Sequence, residues 1–337
     1  MIEGIMMRGP KKTAMAVRNT KGEIVVEESE TPISKRPAFC RWPIIRGILG
    51  YVDSITLGYK YLMRSAEISG LEDLVEEDPK KSKKHAEADA KTAEAPAAEE
   101  KHEEKPEEKK EEDKVPAWVM TLMSVLSVVL GVLLAFGLFL FLPSFLYGFL
   151  APVIEGENII LNSFFKSGFE GVLKILLLIG YMAAISLMKD IRRTYMFHGA
   201  EHKTIFCYES GLELTVENVR AQRRFHPRCG TSFLILMLLV SIFISFFIDP
   251  ISVAISGAVL PLGLRVLVKL ALLPIIVGLG YELIKFAGRH DNALTRIISL
   301  PGVWLQHLTV LEPDDDMIEC AITAVKRVIP EDGSDNW

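Results

Sequence analysis

Long uncharged runs constrain this chain before anything else. No Asp, Glu, Lys or Arg occurs between Lys114 and Glu155, and Trp118–Leu142 alone supplies 25 uncharged residues. That is enough helix to cross a hydrocarbon layer about 30 Å thick at ~1.5 Å per residue. Gly171–Met188 carries one charge, Lys174, and Thr231–Ile248 carries none. Ile251–Ile284 is interrupted only by Arg265, Lys269 and Glu282. A backbone in lipid must satisfy its own hydrogen bonds, so runs of this length predict helices. The expected fold class is therefore mainly α, a polytopic helical membrane protein of about four spans. The first forty residues are polar, so no cleavable signal is expected.

Charge places the remainder. Lys and Arg crowd the amino-terminal part (Arg8, Lys11, Lys12, Arg18, Lys35, Arg36, Arg41, Arg46), the 189–230 connection and the carboxy-terminal part (Lys285, Arg289, Arg296). The stretch from Pro143 to Gly171 has only Lys166 among the cations, and Asp249–Leu264 has none. The positive-inside bias then predicts both termini and the 189–230 connection in the cytoplasm, where cysteines stay reduced. No basic patch with interleaved aromatics suggests a nucleic-acid surface, so membrane lipids are the expected partners.

Four segments follow. Residues 1–70 read as a β element, with strands at Thr13–Arg18 and Glu23–Glu28 after a glycine-bracketed turn at 3–10, then an amphipathic helix over Pro43–Arg64. Residues 71–114 are a Lys/Glu/Ala/Pro tether with too little apolar surface to order itself. Residues 115–284 form the transmembrane part with a His-rich loop at 189–230. Residues 285–337 form a cytoplasmic tail with a short amphipathic helix at Asp314–Val328.

Chemistry concentrates in that loop. His198 and His202 in His198-Gly199-Ala200-Glu201-His202 lie four residues apart on one helix face, the inverted zinc-protease spacing. They are candidate ligands for a divalent ion, zinc first, with Glu201 as general base. Glu282 is the candidate third ligand, and Glu209 and Glu213 lie nearer in sequence. A second cluster, His226-Pro227-Arg228-Cys229, offers His226 and Cys229 as further ligands. All four together would make a closed structural site. Arg223, Arg224 and Arg228 are candidates to hold an anionic group. In a metal-free reading, the histidines only satisfy hydrogen bonds. His290 and His307 read as surface or packing histidines.

Five blocks resemble a known family: Ile2-Glu3-Gly4-Ile5-Met6-Met7-Arg8-Gly9-Pro10, His198–Lys203, Glu213–Val219, His226–Thr231 and Pro301–Gln306. They are similar to the YqhQ-like family of uncharacterised bacterial multi-pass membrane proteins, and they span nearly all the chain apart from the tether. The resemblance implies a bacterial plasma-membrane protein and a metal-dependent enzyme, but it supplies no reaction. The reading it leaves is a metal-dependent membrane hydrolase with a cytoplasmic-face His/Glu site. The alternative is a non-enzymatic scaffold or lipid-binding protein with a structural His/Cys site. A transporter comes third, on the strength of Arg265 and Lys269 within apolar helix.

Overall fold

Three short strands open the chain: β1 (Gly4–Arg8), β2 (Lys12–Arg18) and β3 (Ile24–Glu30). They form an antiparallel meander, β1-β2-β3, with Gly4 opposite Val17 and Lys12 opposite Glu30. The expected turn at 3–10 is thus a strand. Gly4 serves strand contact there, since a Cβ on it would collide with the Ala16 carbonyl. Ile5 and Met7 are buried on one face. The computed structural model describes residues 1–30, 37–70, 117–227, 229–290 and 292–330. The expected tether, residues 71–114, and Arg228 lie outside the described residues.

Helix α1 runs Ile45–Ile68, close to the expected amphipathic helix. Two units emerge, Met1–Leu71 with Phe139–Trp337, and Glu72–Leu138. The described part of the second holds α2 (Ala117–Phe136). In the first unit come α3 (Leu142–Ile154), α4 (Ile159–Ile185), α5 (Lys189–Glu209), α6 (Val216–Arg220), α7 (Gly230–Ser256), α8 (Leu262–Arg289), α9 (Ala293–Thr309) and α10 (Asp315–Val328). The chain is mainly helical. Four stretches are long and apolar enough to cross a membrane: Val125–Ile154, Ile159–Ile185, Gly230–Ser256 and Leu262–Arg289.

Three span boundaries differ from the sequence expectation. The first apolar stretch continues past Leu142, because Pro143 falls in the first turn of α3 and forfeits no intrahelical bond there. The second begins at Ile159 rather than Gly171, so the wide loop expected over 143–170 shrinks to the link between α3 and α4. Glu170, inside that expected connection, is instead buried on a helix and ion-paired with Arg265 and Lys269 of α8. Likewise, Ile251–Ser256 continues α7 through Pro250, and Gly257 in the left-handed region ends it.

Packing explains the helix order. Ser163, Ser167 and Gly171 recur every fourth residue on α4. Ser167 Oγ donates to the Ser245 carbonyl of α7 at 3.1 Å, and a Cβ on Gly171 would press into Ile242. Small residues let apolar helices approach closely, which is how helices associate where lipid gives no hydrophobic drive. Outside the spans, β2 is covered on both faces. Ala16 joins Ile5, Met7 and the α10 residues Met317, Ile318, Ala321 and Val325, together with Phe197, Ala200 and Cys207 of α5. Met15 and Val17 pack on Tyr61 of α1. Helix α10 suits this place, with its apolar face buried, Asp315 and Asp316 at its amino end and Lys326 and Arg327 at its carboxy end. One core outside the long apolar helices therefore joins the first strands, the His-bearing helix and α10.

Candidate metal centre

Helix α5 presents His198 and His202 on one face, ring centroids 4.5 Å apart. Each ring is fixed by its far nitrogen. His198 Nδ1 donates to the Thr309 carbonyl at 2.9 Å, and His202 Nδ1 to the Arg224 carbonyl at 2.6 Å. A carbonyl only accepts, so each Nδ1 carries a proton and each neutral ring keeps its lone pair on Nε2. His198 Nε2 sits 3.1 Å from Cys229 Sγ, and one ligand atom from each of His198, His202 and Cys229 lies within 4.8 Å of the others.

Local sequence explains this convergence. A Cβ on Gly199 would collide with the Leu311 carbonyl oxygen, so glycine alone lets the 309–312 segment cross α5. That crossing is pinned by the Leu311 N–H donating to the Tyr195 carbonyl at 3.0 Å, and it delivers the Thr309 carbonyl to His198. On the other side, Gln306 of α9 is fully buried. Its Oε1 accepts from the His226 N–H at 2.8 Å, and its Nε2 donates to the His226 carbonyl at 2.7 Å. The loop so held ends at Cys229, the amino-terminal cap of α7, whose Sγ accepts from the Thr231 N–H at 3.4 Å.

Electrostatics follow from the geometry. Burial alone would raise the Cys229 thiol, but hydrogen bonds and charge from His198 and His202 pull it down to about 5. Burial would likewise lower His198, but Cys229, Glu201 and the Thr309 carbonyl raise it to about 9. Without metal, these two form a thiolate–imidazolium pair. Burial raises the Glu201 carboxyl above its ordinary value, against the pull of His198 and His202. Glu201 is thus within electrostatic reach of all three candidate ligands.

The other sequence-picked residues lie elsewhere. Glu282 is not brought to the cluster. Arg46 of α1 engages it bidentately, Nε to Oε1 at 2.6 Å, a pairing 236 residues distant in sequence. His226 turns its Nε2 toward Glu209 Oε2 at 3.3 Å and packs on Phe206, so the four-residue closed arrangement does not form. Glu213 offers its backbone carbonyl to Asn218 and Cys207. Arg223 stacks over the Phe206 ring and Arg224 pairs with Glu312 at 3.4 Å. His290 and His307 bond the carbonyls of Phe286 and Trp304. Sequence reasoning missed the supports: Gln306, the Thr309 and Arg224 carbonyls, and buried Lys203, which donates to the Arg220 carbonyl at 2.9 Å and pairs with Glu312. Their only sequence signal is their place inside, or just beyond, the blocks quoted above.

The blocks that converge on this centre fall within the stretch, residues 42–331, that matches the model of a protein family of unknown function, DUF1385. The chain belongs to that family. It is 30% identical over 333 residues to the uncharacterized protein YqhQ of Bacillus subtilis (strain 168), covering 98% of this chain and 90% of that protein. No solved structure matches it.

Proposed function

We propose that His198, His202 and Cys229 hold a divalent ion of the zinc class and that the protein is a metal-dependent hydrolase at a membrane surface. One observation carries the reading. Two imidazoles, each anchored through Nδ1 on a backbone carbonyl, aim Nε2 at one buried thiolate. Anchoring the far nitrogen is the support that metal-ligating histidines use. The donor set fits as well. Zinc bonded at about 2.0–2.3 Å keeps its ligand atoms about 3.5 Å apart, so side-chain adjustment suffices. Three protein ligands leave a position open, the pattern of catalytic rather than structural zinc.

Such an ion would supply Lewis acidity and a water activated at neutral pH. The chain's own residues do the rest. Glu201, its carboxyl raised by burial, takes and returns the proton at the reacting centre. Cys229 binds as thiolate, and the proton that His198 shares with it leaves on metal binding. The Lys and Arg distribution favours a bacterial plasma membrane with this end of the bundle in the cytoplasm. Exposed Val52, Ile55, Tyr59 and Leu62 form a stripe along α1 suited to the lipid interface, and lipid is the nearest class of substrate.

Metal analysis of the protein purified in detergent tests the site. About one equivalent of zinc is expected in the wild type, little in His202→Ala or Cys229→Ala, and a full equivalent in Glu201→Gln. Hydrolysis of ester, amide and phosphoester lipid analogues should be lost in all three variants. Full metal content in His202→Ala would sink the reading. Orientation is checked in intact cells with an impermeant thiol reagent. Glu157→Cys should label and Glu217→Cys should not.

A further inference from the structure

A second charged cluster lies between the apolar helices, away from the histidines in sequence and built by other residues. Helix α4 contributes Lys166, Glu170 and Lys174 at four-residue intervals, α7 contributes Asp249, and α8 contributes Arg265 and Lys269. Glu170 and Asp249 are buried, and Arg265 is 1% exposed. Glu170 is well served. Ser144 Oγ donates to its Oε1 at 2.8 Å and Lys269 Nζ to its Oε2 at 3.2 Å. Lys166 and Lys174 add their charge to the same group.

Arg265 is not well served. Its Nη1 lies 3.1 Å from Asp249 Oδ2 and 3.4 Å from Glu170 Oε1, but neither approach has hydrogen-bond geometry. Nε, Nη1 and Nη2 of Arg265 are all buried without a hydrogen-bond partner, and so is Asp249 Oδ1. Helix positions set the depth. Asp249 is seven residues from the end of α7 and Glu170 eleven from the start of α4, about 10 and 16 Å along their helices. Buried groups of this kind normally find partners, and orphans point to a missing water or ion. A charge within apolar helix is itself a mark of function.

The sign of the excess selects the ligand. Four cations face two carboxylates, and three orphaned nitrogens face one orphaned oxygen. A cation would add to the surplus charge. A planar fork of donors without an acceptor is built for an anion. Close packing of α4 on α7 through Ser167 and Gly171 favours a small one. We propose that Arg265, with Lys174 and Lys269, binds a small inorganic anion, a halide or hydrogen phosphate, inside the helix bundle.

The test uses the full chain in phosphatidylcholine nanodiscs in gluconate buffer at constant ionic strength. Chloride and inorganic phosphate are added in separate arms, a third arm receives phosphatidylglycerol, and thermal unfolding is followed with equilibrium dialysis of the labelled anions. At a hundredfold excess over Kd, the wild type should gain about 3 °C or more from chloride or phosphate. Arg265→Lys keeps the charge but loses the fork and should weaken binding about tenfold. If that variant fails to fold, Lys174→Met should show the same direction of loss. No shift and no binding in the wild type would overturn the proposal, as would equal binding by the variants. Stabilisation by phosphatidylglycerol alone would assign the donors to a lipid headgroup and also overturn it.

Discussion

At the His198–Cys229 cluster both ring nitrogens of His198 are engaged and His202 is anchored on a backbone carbonyl, whereas at Arg265 three guanidinium nitrogens have no partner. Both clusters are largely buried and both join helices distant in sequence. The first is preorganised by backbone carbonyls and by Gln306. The second is held by ion pairs among side chains that leave a surplus of positive charge. A donor set already satisfied on its outer side can bind a metal with only side-chain adjustment, because the support is built before the ion arrives. An unsatisfied set is stable only if something else completes it, or if its ion pairs repay desolvation.

The largest expected effect separates these cases. Arg265→Leu leaves Asp249 and Glu170 buried beside fewer cations, and should destabilise the protein by about 3–5 kcal/mol. Thermal unfolding in detergent measures this, and an unchanged transition would erase the contrast. Metal removal comes next. An ion present at a hundredfold its Kd stabilises by about 2.7 kcal/mol, so a chelator should lower the wild-type transition accordingly and leave His202→Ala unmoved. Equal sensitivity in both would place the metal elsewhere.

Gln306→Ala sharpens the role of preorganisation. It strips two buried hydrogen bonds from the His226 backbone and should cost about 2 kcal/mol. Metal affinity should fall about tenfold although no ligand is touched. Competition with a fluorescent zinc chelator reads this, and unchanged affinity would make Gln306 a packing residue only.

The smallest effect is pH dependence of the metal-free protein. Unfolded, the thiol titrates near 9.0 and the imidazole near 6.5; folded, they titrate near 5 and 9. Between about pH 5 and 6.5 the unfolded chain therefore binds one proton more than the folded one, so stability should rise with pH. From about 6.5 to 9 both states carry one proton between the pair, and the contribution should level off. Cys229→Ser should flatten the rise at the acid end. Chemical denaturation across that range, in chelator, measures it.

Much of this was legible beforehand, and for physical reasons. Uncharged runs disclose helices because lipid admits little else, and the four-residue spacing of His198 and His202 discloses a shared face because helix geometry is local. Glu282 was not legible. Nothing near it in sequence says that Arg46 has already claimed it. Glu170 was not legible either, because a charge in isolation looks wet and the Arg265 and Lys269 of α8 that pair with it lie about a hundred residues away in sequence. The Thr309 and Arg224 carbonyls carry no side-chain signature at all, yet they decide which nitrogen each histidine offers.

The shared core of β1–β3, α5 and α10 has a consequence for synthesis. The strands leave the ribosome long before the helix that covers Ile5, Met7 and Ala16, which is made of residues 315–328. Until that segment emerges, the sheet has one bare face, and every intervening apolar helix is made while it waits. The side of the His-bearing helix that α10 buttresses through Phe197 and Ala200 therefore closes only once residues 315–328 have been made. A nascent chain stalled before residue 315 would hold its histidines on an unsupported helix.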